Sequence, residues 1–257
     1  MSGGSAVVET GSADGPSWDD DPMSAVQEVT INDALAGFLE SERGRLSARV
    51  FCRHEEVVEL LAASLNGYGY MGLSDAELER FESAFNAGNE EAFCHLFGPD
   101  QIVANLDEFL GEFMIRKVIA GRELLRAAGT VTKALVLWLR AEGWIDDDAL
   151  AFASDRASQA ARDLPRAEKL ASLLYDVIRR SPDVMPDARA LPTGDWMDGS
   201  PRIERVEPGA LWFEGGIGPL DVPIQASDLA QVGWHVTVVL ARARGVWHLV
   251  EVGYVYP

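Results

Sequence analysis

From about residue 32 onward, apolar positions recur with the period of an amphipathic helix. Val50, His54, Val57, Leu61 and Leu65 are spaced by three and four, which places them on one face of a helix that stops at Asn66-Gly67. Ser74 followed by Glu77 forms a capping box, and the helix it opens carries Leu78, Phe81 and Phe85 on its inner face. A short helix starts at Asn89 with Phe93, Leu96 and Phe97, and "GPD" at 98–100 breaks the chain. Asn105 with Glu108 offers a second capping box. The apolar-periodic stretch after it runs to Leu139 and halts at Gly143. Asp146 begins a further helix, and Pro165 suits the first turn of the next, whose apolar stripe is Leu170, Leu173, Leu174, Val177 and Ile178. Residues 28–180 are therefore expected to form an α-helical domain, a bundle of about seven helices.

The pattern changes at 181. "SPDVMPDARALPTGDWMDGSP" has four prolines, two glycines and no period, so 181–199 reads as a linker. Short alternating runs follow: "RIERV", "ALWFE", "PLDVP", "HVTVVLA" and "VWHLVEV", separated by turn residues. These five runs in fewer than 60 residues predict a small five-stranded β-barrel of the SH3-like or OB-like kind over 200–257. The expected fold class is α+β. A hairpin looping through "RARG" would set His235 opposite Val252 and His248 opposite Val239. The two imidazoles would then stand roughly 13 Å apart, too far to share a proton or a metal. At the other end, residues 1–27 are rich in Gly, Ser and Asp and have no hydrophobic period, as in a disordered acidic tail. Trp18 beside Asp19, Asp20 and Asp21 is a candidate docking element within it.

Charge sharpens this picture. The chain of 257 residues carries a net charge of −19, which argues against a protein that coats polyanions but leaves room for a local basic site. Residues 46–112 hold thirteen acidic and three basic side chains, whereas 113–143 hold six basic and two acidic. Within the second stretch Arg122, Arg126, Lys133 and Arg140 fall within about 40° of one another on a helix, a stripe roughly 27 Å long if the helix 113–142 is unbroken. Another face, from Met114 through Leu125, Ala128, Thr132 and Leu135 to Leu139, is apolar with small residues that allow close helix approach. The cations either contact an acidic partner or neutralise acidic helices of the same fold, for instance at Glu55, Glu59, Glu79 or Glu82.

The segment "GTVTKALVLWLRAEGWI" resembles the recognition helix of winged-helix regulators. The resemblance implies that Thr130, Thr132 and Lys133 begin a DNA-facing helix and that Arg140 contacts the backbone. It spans about 25 residues, with two departures: only "RAAG" separates Leu125 from Thr130, and "DDDALAFASDR" stands where the wing is expected.

Other chemistry is sparse. Cys52, His54, Cys94 and His95 are the right atoms for zinc, but adjacent or two-apart positions on a helix do not share a face. "HEEVVE" at 54–59 has Val58 where a zinc-binding helix needs its second His. No metal, cofactor or catalytic residue is singled out. The aromatic residues of the last segment, Trp212, Trp234 and Trp247 with Arg242 and Arg244 at the hairpin tip, suggest a surface for a peptide or for bases. Two cysteines are too few for a disulfide framework, and the amino terminus lacks the features of a secretion signal. The apolar run Ala134–Leu139 is far below membrane-spanning length. A cytoplasmic protein with no membrane contact is expected. The leading functional reading is a non-catalytic binding or adaptor protein that contacts a protein partner through the aromatic barrel surface or the basic helix. A nucleic-acid-binding regulator is the alternative, and an enzyme of unknown class the third.

Overall fold

The computed structural model describes residue 1 and residues 29–180 and 195–257. The expectations for the acidic tail, for Trp18 and for most of the linker lie outside the described residues. The chain is a mixed helix and sheet fold, with helices first and a sheet last.

Helix α1 (Ile31–Glu42) opens on Thr30, whose hydroxyl accepts the Asp33 N–H while the Asp33 carboxylate accepts the Thr30 N–H in return. Helix α2 (Ala48–Tyr68) runs into a single tight turn, Gly69–Gly72, and α3 (Asp75–Asn86) follows. Short helices α4 (Ala92–Leu96) and α5 (Asp100–Ala104) lead to a π-helical turn at Glu108–Phe113 and a single turn α6 (Met114–Arg116). Asn105 does not open the next helix as an N-cap; it closes α5 as its C-cap. Its side chain donates back to the Gln101 carbonyl at 2.8 Å.

The helix expected over 113–142 starts only at Arg122. Residues 117–121 are unwound, because the β-branched pair Val118-Ile119 is a poor helix former and Gly121 takes an extended conformation at φ −73°, ψ 160° as the cap of α7 (Arg122–Ala141). From there α7 is unbroken through Gly129. Helix α8 (Asp147–Arg180) is 34 residues long and passes straight through Pro165, where two helices were expected. Proline removes one helical hydrogen bond and crowds the carbonyl four residues back. Burial of Leu164 and Ala167 on either side holds the helix together across that defect.

The sheet is open. Strands β1 (Trp196–Gly199), β2 (Ile203–Glu207), β3 (Ala210–Phe213), β4 (Ile217–Asp221), β5 (His235–Ala243) and β6 (Val246–Tyr256) lie in the order β1-β5-β6-β4-β3-β2. All neighbours are antiparallel except β4 and β6. The five-stranded SH3-like or OB-like barrel is therefore not formed. There is a sixth strand, β1, inside the stretch read as linker, and the sheet does not close. The physical reason is that its apolar face is covered by helices. Leu211, Phe213, Leu220, Val238 and Leu240 form one core with Leu170 and Leu174 of α8 and with Ala226 of α9 (Ile224–Leu229). A sheet buried in this way has no need to bury itself by curling.

The hairpin register also differs from expectation. Arg242 and Ala243 stay paired, with Trp247 and Val246, so the loop is only Arg244-Gly245, at φ 53° and 82°. This is the left-handed pair that a two-residue hairpin turn requires. With two irregularities along the ladder, His235 faces Tyr256 and His248 faces Ala241.

A second apolar core lies among the helices, built on Phe38, Leu61, Phe93, Phe109, Leu110, Leu135 and Leu139. The two cores meet within α8: Ala153, Ala160 and Leu164 belong to the helical one, and Ala167, Leu170 and Leu174 to that of the sheet. None of the described helices is long and apolar enough to cross a membrane.

Candidate functional site

The cations of α7 do lie along one continuous helix, and most of them meet α8. Arg140 Nε donates to Asp147 at 2.6 Å, and this bond holds the Asp147 carboxyl below its usual range. Lys133 Nζ donates to the Ser158 hydroxyl at 2.9 Å, and Arg122 comes to 4.0 Å of Glu168. Arg126 is exposed. The partners are thus on the helix that follows α7, whereas the sequence suggested the acidic helices upstream. The two helices pack along their length because Gly129 of α7 meets the backbone of α8 directly. A Cβ on Gly129 would lie 2.3 Å from the Ala161 nitrogen and 2.5 Å from the Ala157 oxygen. The turn that a winged-helix arrangement needs before Thr130 is absent, and Thr132, assigned to a DNA-facing start, is buried.

The tryptophans of the sheet do not form one surface. Trp234 and Trp247 are buried in the sheet's core, with the guanidinium groups of Arg166 and Arg242 at 5.8 and 5.4 Å from their ring centres. Trp212 of β3 is half-buried beneath Arg205, whose guanidinium carbon lies 3.7 Å from the ring centre, and Trp196 of β1 is half-buried as well. Arg242 pairs with Asp195 at 2.7 Å, and Arg244 is exposed at the hairpin tip. Of the four zinc-type residues, Cys52 is exposed and Cys94 is buried. Burial pushes the Cys94 thiol up to about 12. No group of three or more His, Cys, Asp or Glu side chains is gathered for a metal among the described residues.

A groove between the end of α2 and α3 is the feature that sequence reasoning missed. It encloses about 520 Å³ and is lined by Tyr70, Leu78, Phe81, Glu82 and Phe85 together with the Asn66-Gly67 backbone. Two large rings stand open here: Tyr70 at 39% exposure and Phe85 at 49%. Their positions are fixed from below. Tyr70 stacks on Phe81 at 5.5 Å and 6° between planes, and Phe85 stacks on Phe81 at 5.8 Å. Phe81 is buried and meets Phe93 edge-on at 6.3 Å. Gly69 lets the turn settle there, because a Cβ would come within 2.6 Å of the Phe93 ring.

The surroundings of the groove are acidic. Helix α3 carries Asp75, Glu77, Glu79 and Glu82 against Arg80 alone. Arg80 is drawn away to the Leu96 carbonyl and lies over the Phe97 ring. The available signal was "GYGYMG" at 67–72, where apolar residues sit in a glycine-rich stop that no helix can bury. Comparison of the chain with family models, with curated proteins and with solved structures finds no match.

Proposed function

We propose that the protein is a non-catalytic binding protein that engages a basic, amphipathic segment of a protein partner in the groove between α2 and α3. One observation carries the reading: a row of half-exposed rings, held in place by stacking on buried Phe81, within an acidic surround whose one arginine points elsewhere. Rings fixed before binding lose little side-chain freedom on contact, and such aromatic anchors dominate interface energetics. The acidic surround selects a partner with lysines or arginines beside its apolar stripe and repels an acidic one. On this reading the partner meets the aromatic groove rather than the basic helix or the tryptophans of the sheet.

The test is a fluorescence-anisotropy titration with a labelled Leu/Lys amphipathic peptide and its Leu/Glu counterpart. The Lys peptide saturates and the Glu peptide does not. Burying a Phe side chain is worth about 1.5–3 kcal/mol, so Phe85→Ala weakens binding roughly tenfold or more. Glu82→Lys weakens it further. An unchanged affinity in both variants, or equal binding of the two peptides, would overturn the assignment.

A further inference from the structure

A second concavity lies where the two cores meet, away from the aromatic groove. It encloses about 250 Å³ between α6, the unwound residues 117–121, the first turn of α7, the middle of α8 and the end of β6. Its walls are apolar, formed by Met114, Leu125, Leu164, Ala167 and Val255, with the small Ala171 among the lining residues. The unwound segment forms one side, with Ile119 fully exposed at the rim. Among the described residues, the backbone N–H groups of Val118, Ile119 and Ala120 donate to no other backbone group.

One charged side chain lines the cleft, Glu168. Its carboxylate has Arg122 at 4.0 Å, the outer limit of an ion pair, and both side chains are substantially exposed to water. Such a pair contributes about 0–1 kcal/mol, so it holds the carboxylate only loosely.

We propose that this cleft binds a small primary amine with an apolar body, its ammonium on Glu168 and its alkyl or aromatic part between α6 and α8. Size supports this: an apolar cavity of about 150 Å³ already accepts benzene, so the cleft accommodates a fused ring or a medium alkyl chain. Charge supports the head group, because the one charged side chain that lines the cleft is a carboxylate, Glu168. Neutral apolar ligands forgo the charge-assisted hydrogen bond, and carboxylates meet Glu168 with like charge.

The experiment is a heteronuclear NMR titration of the full chain with naphthylmethylamine, naphthylmethanol and naphthylacetate. The amine shifts the amides of Ile119, Ala171, Gly253 and Val255 saturably. Glu168→Gln weakens it about tenfold, and Ala171→Phe, which fills the cleft, removes binding while resonances of the helical core stay in place. Equal binding of the alcohol, preference for the carboxylate, indifference to Glu168→Gln, or no saturable shift each overturns the proposal. None of these outcomes depends on the groove between α2 and α3, whose own test uses different variants and a different ligand.

Discussion

Replacing Gly129 by alanine tests the packing on which the helical half rests. In an exposed helix this change stabilises by about 1 kcal/mol, since glycine is the costlier residue there. Here the added methyl would sit 2.3, 2.5 and 2.7 Å from three backbone atoms of α8, at Ala161 and Ala157. Carbon atoms prefer contacts of roughly 3.5–4.0 Å, so α7 and α8 must separate by about 1 Å. A gap of that size forfeits a quarter to a half of each dispersion contact across the seam, where Ala128, Val131, Ala157 and Ala160 are all buried. Overpacking costs about 1–3 kcal/mol, and a backbone obstacle that cannot rotate aside puts this site at the upper end. The net expectation is a loss of about 2 kcal/mol, or a fall in Tm of roughly 4–8 °C for a chain of this length. Urea denaturation followed by circular dichroism measures it. Gly67→Ala serves as the control, because nothing lies within 4 Å of its added Cβ, and it should stabilise by up to about 1 kcal/mol. If Gly129→Ala proves as stable as the control, the two helices do not approach as described and the reasoning fails.

Two further measurements bear on the same structure. The Thr132 hydroxyl is buried without a hydrogen-bond partner, so Thr132→Val should stabilise by about 1 kcal/mol; a loss of stability in denaturant would mean that the hydroxyl is satisfied after all. The Glu77 carboxylate accepts from both the Ser74 hydroxyl and the Ser74 N–H, at 2.6 and 2.9 Å, which lowers its pKa from the ordinary 4.5. A depressed carboxyl stabilises the fold above its unfolded pKa and loses that contribution as pH falls through the folded value. An NMR titration should therefore place the Glu77 midpoint below 4.5 and show it returning toward that value in Ser74→Ala.

Some local signals in the sequence carry through to the fold, whereas those set by distant neighbours do not show in it. The caps at Ser74 and the five alternating runs appear where periodicity puts them, because those signals act within a few residues. The rod from Arg122 to Ala141 lies within the expected helix 113–142, but the expected start is not met, since residues 117–121 are unwound. Pro165 misled because a helix can absorb one missing bond when both flanks are buried, and burial is a property of the whole fold. β1 escaped notice because "WMDG" is four residues beside glycine and proline, and only pairing with β5 makes it a strand. Trp234 and Trp247 are expected on a binding surface, yet an open sheet under α8 buries them. The groove was hidden for the converse reason: Phe81 and Phe85 share one stripe, and only the neighbours of α3 decide that the first is covered and the second is not.

Because Leu164 faces one core and Leu170 the other, about one and two-thirds turns apart on the same rod, no cut point within α8 preserves both. A break after Arg180 strips the strands of their cover, and one before Asp147 strips α7 of its closest neighbour. Either half made alone would therefore carry an uncovered apolar face where α8 now joins the two.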